Sequence, residues 1–293
     1  MKDLVIHSPV EQIFDPLFVE KEVKVFVKRD DMIHPIISGN KWRKLKYILS
    51  DAEKLNKKHL VTFGGAFSNH LLATACAAAK FGFRSTGIVR GDEVKNEVLM
   101  LCRLFGMDLL FADRTSYNDK PALFRKHFSE DSEAIFIDEG GAGEPGIKGC
   151  SELVAELHEN YDHIICAAGT GTTAAGILKG LENLSLKSRM HIVPVLKGAG
   201  FLKAEIEVHT DHPFEMHLEY HAGGYAKTSD ELIEFIRYFC KTTGILIEPV
   251  YTGKMFYALY DLIRKGHFPA GSKILAIHTG GLTGILSMSS KFY

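Results

Sequence analysis

The chain has 293 residues, 46% hydrophobic and 24% charged, the proportions of a soluble globular protein rather than of a disordered, collagen-like or disulfide-stapled chain. At about 150 residues per domain, that length predicts two domains or one large α/β domain. Lys and Arg (35) balance Asp and Glu (36) to a formal charge of -1 without segregating along the chain, so no long-range field exists to hold a phosphate backbone, and nucleic acid is excluded as a dedicated partner.

The first residues, MKDLVIHSPVEQIFD, interrupt their apolar positions with Asp3, His7 and Glu11 and so lack the continuous apolar stretch of a signal peptide. Nowhere does the chain run to about 18 uninterrupted apolar residues, as a membrane span needs. A cytoplasmic protein without a membrane partner is expected. Short runs rich in Val, Ile and Phe then alternate with helical patterns, which signals a parallel α/β sheet. The first group of strands is expected at 60–63, 86–89, 108–111 and 134–137, with helices near 69–80, 95–105 and 120–128. Glycine-rich EGGAGEPGIKG at 139–149 reads as a loop and hinge. Beyond it, strands are expected at 163–167, 191–195, 245–250 and 273–278, with helices near 172–181, 230–242 and 253–264. Cys76, Cys102, Cys150, Cys166 and Cys240 form no CxxC pair and read as small hydrophobes of a reducing compartment.

Three glycine- or lysine-bearing segments carry chemistry. In CAAGTGTTAAGIL an apolar strand ends at Ala168, and Gly169, Thr170, Gly171, Thr172 and Thr173 lead into a helix. Converging N–H groups and the helix dipole suit a phosphate there, although a glycine turn with a threonine cap is an equal reading. In FGGAFSNHLLATA, Ser68, Asn69 and His70 open a helix, as a receptor for a carboxylate or phenolic oxygen or simply as a serine cap. In SGNKWRKLKYIL, Lys41, Arg43, Lys44 and Lys46 form either a solvated helix face or, with Lys41 and Lys44 three apart, a pair able to bind an aldehyde cofactor and its phosphate. Two patterns are set aside. Gly141 to Gly146 spells GxGxxG, but Glu144 and Pro145 oppose a pyrophosphate. His209, His212, His217 and His221 lack the HExxH arrangement, and no metal is expected.

Taken in order, KRDD (28–31), SGNKWRKL (38–45), GGAFSNH (64–70), GTGTT (169–173), GGYAK (223–227), EPVYTGK (248–254) and HTGG (278–281) resemble the fold-type II pyridoxal-phosphate enzymes, in the branch containing 1-aminocyclopropane-1-carboxylate (ACC) deaminase and D-cysteine desulfhydrase. The resemblance implies an α/β protein with two open, twisted, mostly parallel sheets, like the tryptophan synthase β-subunit. It also implies a discontinuous large domain of residues 1–47 plus 151–293, a small domain of 48–150, and a homodimer. Pyridoxal 5'-phosphate would be the cofactor, with Lys41 as its Schiff-base lysine. Lys44, Gly169, Thr170, Gly171, Thr172 and Thr173 would meet its phosphate, Asn69 its O3′, Tyr251 its ring, and Thr252, Thr279 and Gly280 its remaining edge. Ser68, Asn69, His70 and Tyr225 would bind a small amino-acid substrate, and Lys41, Ser68, Tyr225 and Tyr251 would be catalytic. Thr252 and Thr279 stand where ACC deaminases tend to carry Glu and Leu, and His70 where they carry Gln. The resemblance therefore leans toward β-elimination from D-cysteine, giving pyruvate, ammonia and sulfide. ACC deamination, a D-serine dehydratase-like activity and a non-catalytic carrier are the alternatives.

Overall fold

A computed structural model describes residues 4–293; Asp3, used in reading the first segment, lies outside the described residues. In chain order these form β1 (Val10–Ile13), α1 (Pro16–Glu20), β2 (Lys24–Lys28), α2 (Asn40–Lys54), β3 (His59–Gly65), α3 (Asn69–Phe81), β4 (Arg84–Arg90), α4 (Glu97–Leu104), β5 (Asp108–Ala112), α5 (Arg114–Tyr117), α6 (Lys120–Phe128) and β6 (Ala134–Ile137). They continue with α7 (Glu144–Ala155), β7 (His163–Ala168), α8 (Thr172–Asn183), β8 (Arg189–Pro194), α9 (Leu202–Glu207), β9 (Phe214–Met216), α10 (Asp230–Thr243), α11 (Thr252–Arg264) and β10 (Lys273–Ile277), joined in places by short 3-10 turns.

Two sheets result. One has the order β1-β2-β10-β7-β8-β9 and is parallel except for β1, which runs antiparallel to β2. The other, β5-β4-β3-β6, is parallel throughout. Strand β7 shows why the apolar runs lack alternation, since every residue of HIICAA is buried and both faces of a parallel sheet are covered. Ile165 and Ala167 pack with Phe239 and Phe256 on the α10 and α11 side, whereas Ile164, Cys166 and Ala168 pack with Ile177 and Leu178 of α8 on the other.

Two expectations are corrected. Residues 245–250 are not a strand: Ile245 and Ile247 are buried around an exposed Leu246, which imitates strand alternation, but the segment turns at Glu248 to start α11. The stretch 139–149 is a loop only at its start. From Glu144 it is α7, with Pro145 in the first turn, where a missing N–H is harmless. Its glycines serve close packing. A β-carbon on Gly149 would run into the Arg43 carbonyl of α2, and one on Gly176 of α8 would lie 2.7 Å from the Ile147 carbonyl. A domain boundary between residues 150 and 151 would therefore cut a helix.

Helix α2 is anchored by charge as well as by apolar contact. Arg43 is buried and donates from Nε and Nη2 to Asp30 at 2.6 and 2.7 Å, and from Nη1 and Nη2 to Glu156 at 2.8 and 2.9 Å. Lys28 Nζ joins Glu156 at 2.8 Å. The basic run at 41–46 is thus not a solvated face.

Candidate active site

A cavity of about 500 Å³ lies between the two sheets, walled by α2, the carboxyl ends of β3 and β7, the start of α3, and loops carrying Tyr225, Tyr251 and Thr279. Strand ends are where open α/β sheets place ligands. Loop geometry brings the distant motifs together. Gly39 has φ +57° and lies so close to the Thr279 carbonyl that a β-carbon could not be accommodated; Gly281 packs against the Asn69 amide, 2.5 Å from where its own β-carbon would be.

Lys41 and Lys44 both face this interior without an acidic partner among the described residues. Lys41 Nζ donates to Asn40 Oδ1 at 2.8 Å and Lys44 Nζ to the Gly140 carbonyl at 3.0 Å. Burial, reinforced by the Lys44 charge, lowers the Lys41 pKa from 10.5 to about 7, and burial lowers that of Lys44 as well. Opposite them the β7–α8 loop turns at Gly171 (φ +73°), so the N–H groups of the first turn of α8 have no intrahelical partner. Asn40 Nδ2 donates to Thr173 Oγ1 at 2.9 Å, tying the lysine helix to the first turn of α8. Two amines that lack an ion-pair partner among the described residues, facing the first turn of α8, make a receptor for a small dianion.

Tyr251 closes the interior. Its Cε1 is 3.1 Å from where a Gly169 β-carbon would stand, and its ring meets that of Tyr225 edge-on at 6.1 Å. Burial raises both phenol pKa values, that of Tyr251 well above 10, so both hydroxyls stay protonated. Ser68 caps α3 by accepting from the Leu71 N–H, which leaves its own proton free to donate. The Asn69 Oδ1 is buried without a partner among the described residues.

His70 departs from expectation. Thr62 Oγ1 donates to the Ile137 carbonyl at 3.0 Å and must therefore accept from His70 Nε2, 2.8 Å away. Nδ1 is then a bare acceptor, buried and unpartnered among the described residues. Burial and the two lysines hold the ring well below its usual pKa. A neutral acceptor does not attract a carboxylate, so His70 suits a donor instead.

Lys41, Lys44, Ser68, Asn69, His70, Gly169, Thr170, Gly171, Thr173, Tyr225, Tyr251, Thr279 and Gly280 all line the cavity; Thr172 and Thr252 do not. The Thr172 hydroxyl pairs with that of Thr170 at 3.0 Å. Thr252 is fully buried, 3.2 Å from Glu248 Oε1, and its hydroxyl accepts the Glu248 N–H at 3.0 Å. Glu248 went unread in the sequence. Its carboxylate accepts the N–H groups of Val250, Tyr251 and Thr252, each at 2.7 Å, so it orients the tyrosine. Asn40 and Arg90 were also missed, although Asn40 adjoins Lys41 and Arg90 ends β4, both positions that point to a ligand.

Comparison with known proteins agrees with this geometry. The family described as "Pyridoxal-phosphate dependent enzyme" matches residues 13–280. A protein of Thermotoga maritima named "Putative 1-aminocyclopropane-1-carboxylate deaminase" is 30% identical, over 99% of this chain and 98% of its own. The "Bifunctional D-cysteine desulfhydrase/1-aminocyclopropane-1-carboxylate deaminase, mitochondrial" of Arabidopsis thaliana is 30% identical, over 89% of this chain and 73% of its own. The crystal structure of an ACC deaminase homologue superposes with a TM-score of 0.87 at 29% identity, covering 98% of this chain and 93% of that one. The shared motifs, the two-sheet fold and the family match together make this chain a member of the pyridoxal-phosphate dependent enzymes, of the ACC deaminase and D-cysteine desulfhydrase group.

Proposed function

We propose that the protein eliminates sulfide from D-cysteine, so that D-cysteine and water give pyruvate, ammonia and hydrogen sulfide. The residues present fit the cofactor of the family. An amine depressed to about 7 suits an aldehyde, and Lys44 with the Gly169–Thr173 loop suits a phosphate. When bound, pyridoxal phosphate supplies an electron sink for the pair released at the substrate α-carbon. Asn40 holds the Lys41 amine at 2.8 Å and so keeps its lone pair oriented. Near neutral pH that amine can take a proton from an α-carbon and return it. The hydroxyls of Ser68, Tyr225 and Tyr251 are donors, suited to a carboxylate and to a departing thiolate.

The observation that carries this reading is the pairing of one basic amine with tyrosines that burial keeps protonated. β-Elimination uses both, since it removes an α-proton and protonates a leaving group. ACC has no α-proton, and a protonated phenol is a poor nucleophile toward its ring. Thr252, which suggested the same preference in the sequence, carries less weight because its hydroxyl belongs to Glu248. The names of the relatives favour ACC deamination as the second reading.

Ammonia release from D-cysteine, L-cysteine, D-serine, β-chloro-D-alanine and ACC tests the proposal. Turnover of D-cysteine and β-chloro-D-alanine is expected, and turnover of ACC alone would replace it with the deaminase reading. Cytoplasmic placement and a homodimer are proposed on the family resemblance; light scattering of the purified protein checks the latter.

A further inference from the structure

A second cluster of reactive groups stands where the edge strand β9 meets β8 in the large sheet. His191 on β8 lies in register with Glu215 on β9. His217 follows β9 and is fixed by its N–H to the Ile192 carbonyl at 2.9 Å, and His267 comes from the turn after α11. One ligand atom from each of these four residues lies within 4.8 Å of all the others. His191 Nδ1 is 3.0 Å from His217 Nε2, Glu215 Oε2 is 3.8 Å from His191 Nδ1, and His267 Nε2 is 3.4 Å from Glu215 Oε2.

From this geometry we propose that His191, Glu215, His217 and His267 form a zinc site, which revises the expectation of no metal. Zinc–nitrogen bonds of about 2.0–2.1 Å set ligand-to-ligand edges of about 3.3–3.4 Å in a tetrahedron, and the distances above bracket that value. The carboxylate contacts exceed ordinary hydrogen-bond lengths, so Glu215 is not placed simply to pair with one imidazole. An outer contact is also present. With His191 Nδ1 as the ligand, its Nε2–H donates to His163 Nδ1 at 3.0 Å, the kind of bond that fixes the tautomer of a metal-binding histidine. An entry path exists, because the Glu215 side chain is 53% exposed and that of His267 30%, against 2% for His191. Four protein ligands complete a tetrahedron and leave no open position, which makes the site structural rather than catalytic. It ties the three-residue edge strand β9 to β8 and to the turn before β10. The histidine run read from the sequence contributes only His217. His209 faces Glu144, His212 the Ser188 carbonyl, and His221 the Gly223 N–H.

Calorimetric titration of the cofactor-loaded protein with zinc chloride, after dialysis against a chelator, tests the site. One zinc per chain and a higher unfolding temperature with zinc are expected. Glu215→Ala and His267→Ala change exposed side chains and should each weaken binding by about tenfold or more, while His221→Ala should leave it unchanged. Absence of stoichiometric uptake by the wild type, or uptake undiminished in both variants, would overturn the proposal.

Discussion

Lys41 sits in an interior that penalises its charge, and this has a thermodynamic signature apart from catalysis. Its pKa falls from 10.5 to about 7 on folding, chiefly through burial. Between those values the unfolded chain holds a proton that the folded one does not, so stability rises with pH across that window, and below about 7 the full penalty applies. In cofactor-free protein, Lys41→Met is therefore expected to melt at a higher temperature than wild type at pH 7, with the difference closing above about pH 10.5; scanning calorimetry across pH checks this. Tyr251→Phe keeps the ring against Gly169 but removes a proton donor, and kcat on D-cysteine should fall by about 10²–10⁴, with the cofactor absorbance retained. The place of Lys41 in the cavity was legible in the sequence because its motif has a chemical meaning. His70 was legible as a site residue but not in its role, since its acceptor face is set by Thr62, a residue of β3 that no local pattern connects to it.

Among the elements, α2 shows how neighbouring residues of one charge divide their work. Lys41 and Lys44 face the cavity, whereas Arg43 turns the other way into Asp30 and Glu156. Removing one member of a buried ion network leaves its partners uncompensated, and Arg43→Ala is expected to destabilise the protein by about 3–5 kcal/mol. Denaturant unfolding measures that loss, and cofactor affinity should weaken with it because α2 carries both lysines. Strands and helices with strong apolar periodicity, such as β6, α6 and β10, were readable from the chain. Segment 245–250 was not, because its alternating burial comes from a turn held by Glu248 and by the bond between His278 Nε2 and the Leu246 carbonyl. Helix α7 was hidden by glycines that serve contacts with α2 and α8, and such contacts exist only once the fold does.

For the molecule as a whole, parallel α/β architecture was foreseeable from the alternation of apolar runs with helices, and its division into two sheets from the motifs shared with the family. We place the smaller lobe at about residues 55–140, which keeps α7 intact beside α2 and α8. What the sequence could not show was which strands touch. Parallel pairing of β2 with β10 joins Lys24–Lys28 to Lys273–Ile277, so the large sheet unites the two ends of the chain, while the small sheet needs only residues 59–137. During synthesis, which proceeds from the amino end and lets units fold as they emerge, the small sheet can form early. The cavity cannot, because Gly39 waits for Thr279 and Gly280 to seat against it. Stalled ribosome-bound chains ending near residue 200 should therefore protect the 59–137 segment from protease yet take up no cofactor, and uptake should begin only when residue 281 has cleared the exit tunnel. The enzyme is thus timed as well as shaped by its strand order: Lys41 is made well before Thr279 and Gly280 and stays idle until they arrive.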